Sequence, residues 1–121
     1  MRLLIQLILL SFLLGACEKI VSMEELEERN NTYYKKNSNI PFTGKIDGIS
    51  FGIYTKGQMK TGIPEGEWYF YHSNGNLDRV GNFQNGLQNG KWYFYDTDAN
   101  HLKTEVYKEG VLIKTLSEEE K

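Results

Sequence analysis

Cysteine, proline and histidine are scarce in this sequence of 121 residues, which holds one, two and two of them. The single cysteine, Cys17, excludes an intramolecular disulfide, so packing and backbone hydrogen bonds must hold the fold together. The histidines, His72 and His101, have no cysteine or acidic cluster beside them in the sequence, and we expect no metal site. Lysine and arginine form no stripe and the formal net charge is −2, which argues against nucleic acid and against electrostatic docking onto anionic lipid.

A pattern typical of a catalytic site is also missing. A hydrolytic triad needs a nucleophile, a base and an orienting acid, and no spacing in this chain singles out such a set. The carboxylates show no pairing typical of a glycosidase, and the glycines fall at turns rather than in a phosphate-binding loop before a helix. We therefore expect neither enzymatic activity nor a cofactor.

The one long apolar run lies at the N-terminus. Residues 1–16 combine Arg2, an almost wholly apolar stretch and small residues before Cys17, which is typical of a signal peptide. The stretch of about a dozen residues is shorter than the roughly 20 that a membrane-spanning helix needs. Its end matches a bacterial lipobox, in which the Cys17 thiol receives a diacylglyceryl group and two or more acyl chains give stable anchoring. The lipobox residues are Leu14, Gly15, Ala16 and Cys17. The alternative is an ordinary cleaved signal or a short uncleaved anchor.

The rest of the chain divides by composition. Residues 17–40 are highly charged and poor in large aliphatic side chains, and we interpret them as a tether between the lipid and the folded part. Ser22 and Glu25 match a capping box, which predicts a short helix over residues 22–29 with its glutamates in solvent. Residues 41–116 are expected to form the folded domain, and residues 117–121 an acidic tail.

A 24-residue unit occurs twice, over residues 66–89 and 90–113. Seven of the 24 aligned positions are identical, and both copies begin with a glycine, any residue and then Trp-Tyr-Phe-Tyr. Residues 42–65 form a degenerate first unit, in which we expect Gly57 to take the turn position of Gly86. The framework residues of the repeat are Gly66, Trp68, Phe70, Gly75, Gly86, Gly90, Trp92, Phe94 and Gly110.

Each unit predicts two short strands and two turns. Asn74-Gly75 predicts a type I′ hairpin turn, and Asn85-Gly86 predicts a second turn. The second copy has residues 98–100 in place of the first turn, so we expect a longer or bulged turn there. Eleven glycines between Gly44 and Gly110 would each cost a helix about 1 kcal/mol relative to alanine. The predicted fold is therefore all-β, an antiparallel meander of β-hairpin repeats.

These repeats resemble the MORN-type repeat family and, within it, the bacterial branch of YwqK-type antitoxins. The resemblance covers residues 33–113 and is carried by residues 66–77, residues 85–95 and the entry at residues 33–34 and 41–45. It implies stacked antiparallel hairpins in a curved sheet and a role in protein contact. Some members of that branch resemble antitoxins or immunity proteins.

The aromatic residues of the repeat supply a candidate binding surface. In an extended chain the Trp and Phe side chains point to one face and the Tyr side chains to the other. We expect Trp68, Phe70, Trp92 and Phe94 to form core. The candidate binding residues are Tyr69, Tyr71, Tyr93 and Tyr95, because an exposed aromatic strip usually marks an interaction surface. The alternative is a purely structural tyrosine face with its hydroxyls in water.

These observations favour a lipid-anchored, non-catalytic module that binds an unknown protein partner in the cell envelope. The anchor on Cys17 would place it at the outer membrane or periplasmic face of a Gram-negative cell, or at the extracellular face of a Gram-positive one. Two alternatives stay open. One is an immunity or antitoxin protein that neutralises a cognate toxin, and the other is glycan or peptidoglycan binding through the exposed tyrosines.

Overall fold

A computed structural model describes residues 19–117, which form ten β-strands and a single turn of 3₁₀ helix over Met23–Glu25. Eight strands make one sheet in the order β1-β4-β5-β6-β7-β8-β9-β10, and β2 and β3 make a separate hairpin. From β4 to β10 every neighbouring pair is antiparallel, which confirms the predicted all-β meander of hairpins. The strands are β1 (Ile20–Val21), β2 (Leu26–Arg29), β3 (Thr32–Lys35), β4 (Gly44–Ser50), β5 (Ile53–Lys60), β6 (Ile63–Tyr71), β7 (Leu77–Gln84), β8 (Leu87–Tyr95), β9 (His101–Lys108) and β10 (Val111–Ser117).

The predicted signal peptide and lipobox lie outside the described residues, as does all of the predicted acidic tail except Ser117. Over residues 19–117 the structure holds no helix long and apolar enough to cross a membrane.

The segment expected to be a tether is folded from residue 19 onward, so that expectation is wrong for the described residues. β1 pairs in parallel with β4, and Val21 is buried in the core. The capping box is present, with the Ser22 N–H donating to Glu25 Oε2 over 2.7 Å, but the helix that it begins is only one turn long. Residues 26–29 form β2 instead, because so short a helix is marginal in water and pairing with β3 lets Leu26 be buried.

The repeat extends further toward the N-terminus than the sequence predicted. Three two-residue turns lie 24 residues apart, at residues 61–62, 85–86 and 109–110, and both residues of each turn have positive φ. Gly57 is therefore not a turn residue. It lies in the middle of β5, opposite Ile46 of β4, and its equivalent in the next unit is Gly81. The threonine in the Thr61-Gly62 turn concealed this equivalence. The first unit still differs in its other turn, where Phe51 and Gly52 alone join β4 to β5.

The loops at residues 72–76 and 96–100 are alike, although a different turn was predicted for the first. In residues 72–76 only Gly75 has positive φ, so this loop is longer than a two-residue type I′ turn. The His72 N–H donates to the Asn76 carbonyl oxygen over 2.8 Å, and Asp96 donates likewise to Asn100 over 2.9 Å. The two loops thus have the same length and backbone bonding. The longer, bulged turn expected in the second copy is present, and the first copy has it as well. Ala99 takes the place of Gly75 with φ of 67°.

Each tryptophan of the repeat lies flat over a glycine of the preceding strand. A Cβ atom added to Gly57 would lie 2.1 Å from Cδ2 of Trp68, and one added to Gly81 would lie 2.0 Å from Cδ2 of Trp92. A bulge in β6 and in β8 makes this possible, since three residues beginning with Gly66 lie opposite Gly57 alone. Gly66 and its equivalent Gly90 begin these bulges with φ of 76°.

The core lies on the tryptophan side of the sheet, where the β2–β3 hairpin covers strands β4 to β6. Trp68 and Trp92 are both buried, as predicted, and the ring of Phe83 packs edge-on against each of them. Phe70 is partly buried against the same cluster, and Phe94 is half-buried under the Lys103 ammonium group. The buried cluster consists of Val21, Leu26, Phe42, Ile46, Met59 and Trp68.

Candidate interaction surface

The sheet brings the four predicted tyrosines to one face. Tyr69 and Tyr93 flank Val80 across three adjacent strands, since Val80 of β7 is the register partner of both. Tyr71 and Tyr95 lie two residues further along the same strands and therefore point to the same side. The β2–β3 hairpin packs against the opposite side, so no second layer of the described chain covers these rings.

A fifth tyrosine, Tyr54 on β5, belongs to the same surface and was not predicted. Its ring centroid lies 5.3 Å from that of Tyr71. Tyr54 lies outside the two aligned repeats, and only the pairing of β5 with β6 brings it beside Tyr71. We call the surface formed by Tyr54, Tyr69, Tyr71, Tyr93 and Tyr95 the tyrosine face.

Carboxylates accept hydrogen bonds from two hydroxyls of the tyrosine face. The Tyr54 hydroxyl donates to Asp47, and the Tyr69 hydroxyl donates to Glu67. The hydrogen bond to Asp47 is the main cause of the raised pKa of Tyr54. Tyr93 is exposed, and the other four rings are half-buried by their neighbours in the sheet. The face thus presents aromatic rings, two of them fixed by hydrogen bonds to carboxylates, with polar groups between them.

His101 of β9 is the register partner of Tyr95 and borders the tyrosine face. Its ring is 5.7 Å from Tyr95 and 6.3 Å from Tyr93, and its Nε2 lies 2.9 Å from the Thr104 hydroxyl. The other histidine, His72, has Nε2 2.9 Å from the Tyr95 carbonyl oxygen and 3.9 Å from Asp78. Both imidazoles therefore take part in structural contacts between neighbouring strands and loops.

The tryptophan side of β7 to β9 carries cations that contact aromatic rings. The Arg79 guanidinium lies 4.4 Å from the Phe70 ring centroid, and the Lys103 ammonium lies 4.8 Å from that of Phe94. Lys103 also donates to Glu105 over 2.7 Å, and Tyr107 donates to the same carboxylate over 2.6 Å. These two hydrogen bonds, that of Lys103 first, lower the pKa of Glu105. These charged and aromatic side chains contact one another, so we interpret their role on the tryptophan side as structural.

Residues 19–117 contain no group of three or more metal-ligating side chains close enough to share an ion. Open depressions of these residues lie along the turns. One of about 540 Å³ lies where the β2–β3 hairpin meets the sheet and is lined by Tyr33, Ile63, Phe83 and Leu87 together with polar turn residues. The described residues thus offer surfaces for binding.

The last strand, β10, forms an open edge of the sheet. It pairs with β9 on one side only, and Val111, Leu112 and Ile113 are exposed. A free edge presents unpaired N–H and C=O groups that accept a further strand. At the other end of the sheet, β1 and the turn at Met23–Glu25 cover β4. The two edges therefore differ in their capacity to bind a partner.

Comparison with protein-family models, with curated proteins and with solved structures finds no match to this chain. The resemblance to the MORN-type family therefore stays a prediction that depends on the repeat residues quoted above.

Proposed function

We propose that this protein is a lipid-anchored, non-catalytic interaction module whose tyrosine face binds a protein partner in the cell envelope. The observation that carries the proposal is a row of five tyrosines on the side of the sheet opposite the β2–β3 hairpin, with no layer of the described chain over it. Tyrosine is favoured at protein interfaces because it offers a large apolar ring and a polar hydroxyl with few rotatable bonds.

The chemistry of the face fits a partner with both apolar and polar surface. Lys56 is the register partner of Asp47 on one side and of Tyr69 on the other, so charges of both signs border the rings. A lipid interior would leave these charged groups without solvent or partner, whereas the polar rim of a protein interface accommodates them. The free edge at β10 adds backbone groups that can pair with a strand of the partner.

Site-specific photo-crosslinking in cells tests this proposal. A photoreactive phenylalanine analogue at Tyr93 is expected to capture a protein, and the same analogue at Tyr34 is the matched control. Tyr34 is a tyrosine of the β2–β3 hairpin, off the tyrosine face, with the Arg29 guanidinium 4.0 Å above its ring. The double variant Tyr69→Ala/Tyr93→Ala should lose the partner in a gentle-detergent pull-down while keeping the β-sheet circular-dichroism spectrum. Equal capture from both positions, or a partner retained by the double variant, would refute the proposal.

Glycan binding is the second candidate, favoured by the carboxylates beside the rings. A tyrosine ring can pack on the face of a sugar while a neighbouring carboxylate, such as Asp47 beside Tyr54 or Glu67 beside Tyr69, accepts hydrogen bonds from its hydroxyls. A glycan array, including peptidoglycan fragments, would show binding that falls in Tyr69→Ala and Tyr93→Ala. Binding unchanged by both substitutions would exclude this candidate.

An immunity or antitoxin role is a special case of the first proposal, in which the protein partner is a toxin. It predicts that deletion of the gene makes cells sensitive to siblings that carry an adjacent toxin gene. Deleted cells that stay healthy beside such siblings would exclude this role and leave the interaction surface itself untouched.

A further inference from the structure

We propose that one end of the sheet, formed by Lys19, Lys35, Ile40 and Lys60, rests on the lipid headgroups of the membrane to which Cys17 is anchored. We call these four residues the anchor-end surface. This inference rests on the proposed lipid anchor. It goes further by stating which surface of the folded part meets the membrane and which surfaces point away from it.

The length of chain between the proposed lipid and the fold carries the inference. Lys19 is the second residue after Cys17, and two extended residues span at most about 7 Å. The Lys19 carbonyl oxygen already accepts the backbone N–H of Lys45 over 2.8 Å, so the fold begins at that residue. A lipid on Cys17 would therefore hold this end of β4 directly at the headgroups, with no spacer between.

The side chains at this end suit a membrane surface. Ile40 is 77% exposed and shares a shallow depression with Lys19 and Lys35. Lys60 lies at the same end, just before the turn whose Thr61 N–H donates to the Thr43 hydroxyl. The described lining of the depression contains two lysines and no carboxylate. Exposed lysines are attracted to anionic headgroups, and an exposed isoleucine inserts among them.

The negative net charge of the whole chain argues against docking by charge alone, but a lipid on Cys17 would already hold this end of the sheet at the headgroups. Charges in water are screened over about 8 Å at physiological ionic strength, so the lysines nearest the headgroups decide the interaction. The opposite end of β4 lies about 23 Å away, from seven residues at about 3.3 Å each. That far end carries Phe51, which is 88% exposed, and the loops at residues 72–76 and 96–100.

Fluorescent labels at the two ends of the sheet test the proposed orientation. In the lipidated protein the Cys17 thiol is blocked, so Ile40→Cys and Phe51→Cys each accept a single environment-sensitive fluorophore. The proteins are placed in vesicles of phosphatidylcholine and phosphatidylglycerol with a nitroxide on some headgroups. We expect a blue shift and nitroxide quenching at position 40, and neither at position 51.

Charge substitutions give a second measurement. A lysine near an anionic surface contributes a factor of about five to association, so Lys35→Gln should lower the contact equilibrium at position 40 about fivefold. Lys56→Gln, in the middle of β5, is the matched control and should leave the quenching unchanged. Equal effects of the two substitutions would overturn the proposal.

The remaining outcomes separate this inference from the proposed anchor. Protein that floats with the vesicles while position 40 stays unquenched, or while both positions are quenched equally, overturns the orientation and leaves the anchor in place. Protein without acyl groups on Cys17 by mass spectrometry, and absent from the floating fraction, overturns both.

Discussion

Alanine at position 81 should destabilise the protein by about 2 kcal/mol, because the Trp92 ring occupies the space that the new methyl group needs. The added Cβ would lie 2.0 Å from Cδ2 of Trp92, and ordinary van der Waals contact begins at 3.4 Å, so the ring must retreat by about 1.4 Å. Trp92 is only 1% exposed and is packed against Phe83 and Tyr107, which leaves it little room.

Three contributions set the expected magnitude. Overpacking a tight site costs about 1–3 kcal/mol. Moving the ring also strains the hydrogen bond from Trp92 Nε1 to the Asn82 carbonyl oxygen, 3.2 Å long, at a cost of about 1 kcal/mol. The opposing effect of alanine on the unfolded chain stabilises by about 0.4–1 kcal/mol. The sum is a net loss of about 2 kcal/mol.

Urea denaturation followed by far-ultraviolet circular dichroism measures this loss without using the displaced ring as the reporter. The equivalent substitution Gly57→Ala should cost about 1 kcal/mol less, since Trp68 Nε1 has no hydrogen-bond partner among the described residues. In a Trp92→Leu background, Gly81→Ala should be close to neutral. A cost of Gly81→Ala below about 0.5 kcal/mol, or an equal cost in both backgrounds, would refute the stacking of tryptophan on glycine as the source of stability.

Two further predictions concern a strained loop and a half-buried carboxylate. Ala99→Gly should raise the free energy of unfolding by up to about 1 kcal/mol, because left-handed backbone costs a non-glycine residue about 1–2 kcal/mol, and Gly75→Ala should lower it by a similar amount; a thermal melt that moves both the same way would contradict this. The lowered folded pKa of Glu105 makes a contribution to stability that is complete above its unfolded pKa of about 4.5 and is lost as the pH falls through the folded value. Glu105→Gln should therefore flatten the acid limb of the unfolding curve. Identical acid limbs for wild type and Glu105→Gln would contradict a stabilising role of the hydrogen bonds to this carboxylate.

Local pattern was sufficient to predict the repeat and its two faces. Trp68 and Trp92 alternate with tyrosines along single strands, and strand geometry alone sends the two kinds of ring to opposite sides. The turn at Asn85-Gly86 could be predicted because asparagine and glycine both tolerate positive φ. The Thr61-Gly62 turn could not, since threonine rarely adopts that conformation and the register of β5 with β6 decides it.

Long-range pairing determined what local pattern missed. Val21 is buried because β1 reaches β4, about 25 residues further along the chain, and no nearby residue signals that contact. The charges in residues 17–40 suggested a tether, yet Leu26 is buried against the sheet and helps to hold the β2–β3 hairpin as a layer over it. Tyr54 was missed for the same reason: the pairing of β5 with β6 places it beside Tyr71, and the repeat alignment does not include it.

Glu105 ends the stack of tryptophan on glycine. It lies 24 residues after Gly81 and 48 after Gly57, and residue 116, 24 after Trp92, is a leucine. The Glu105 side chain is only 12% exposed and forms an ion pair with Lys103. It therefore fills the position at which a third glycine would leave room for a tryptophan ring. The backbone edge of β10 beyond it stays open. A partner that joins the sheet at this end therefore has to bind by strand pairing and by contact with Val111, Leu112 and Ile113, because the tryptophan stack offers it no further glycine.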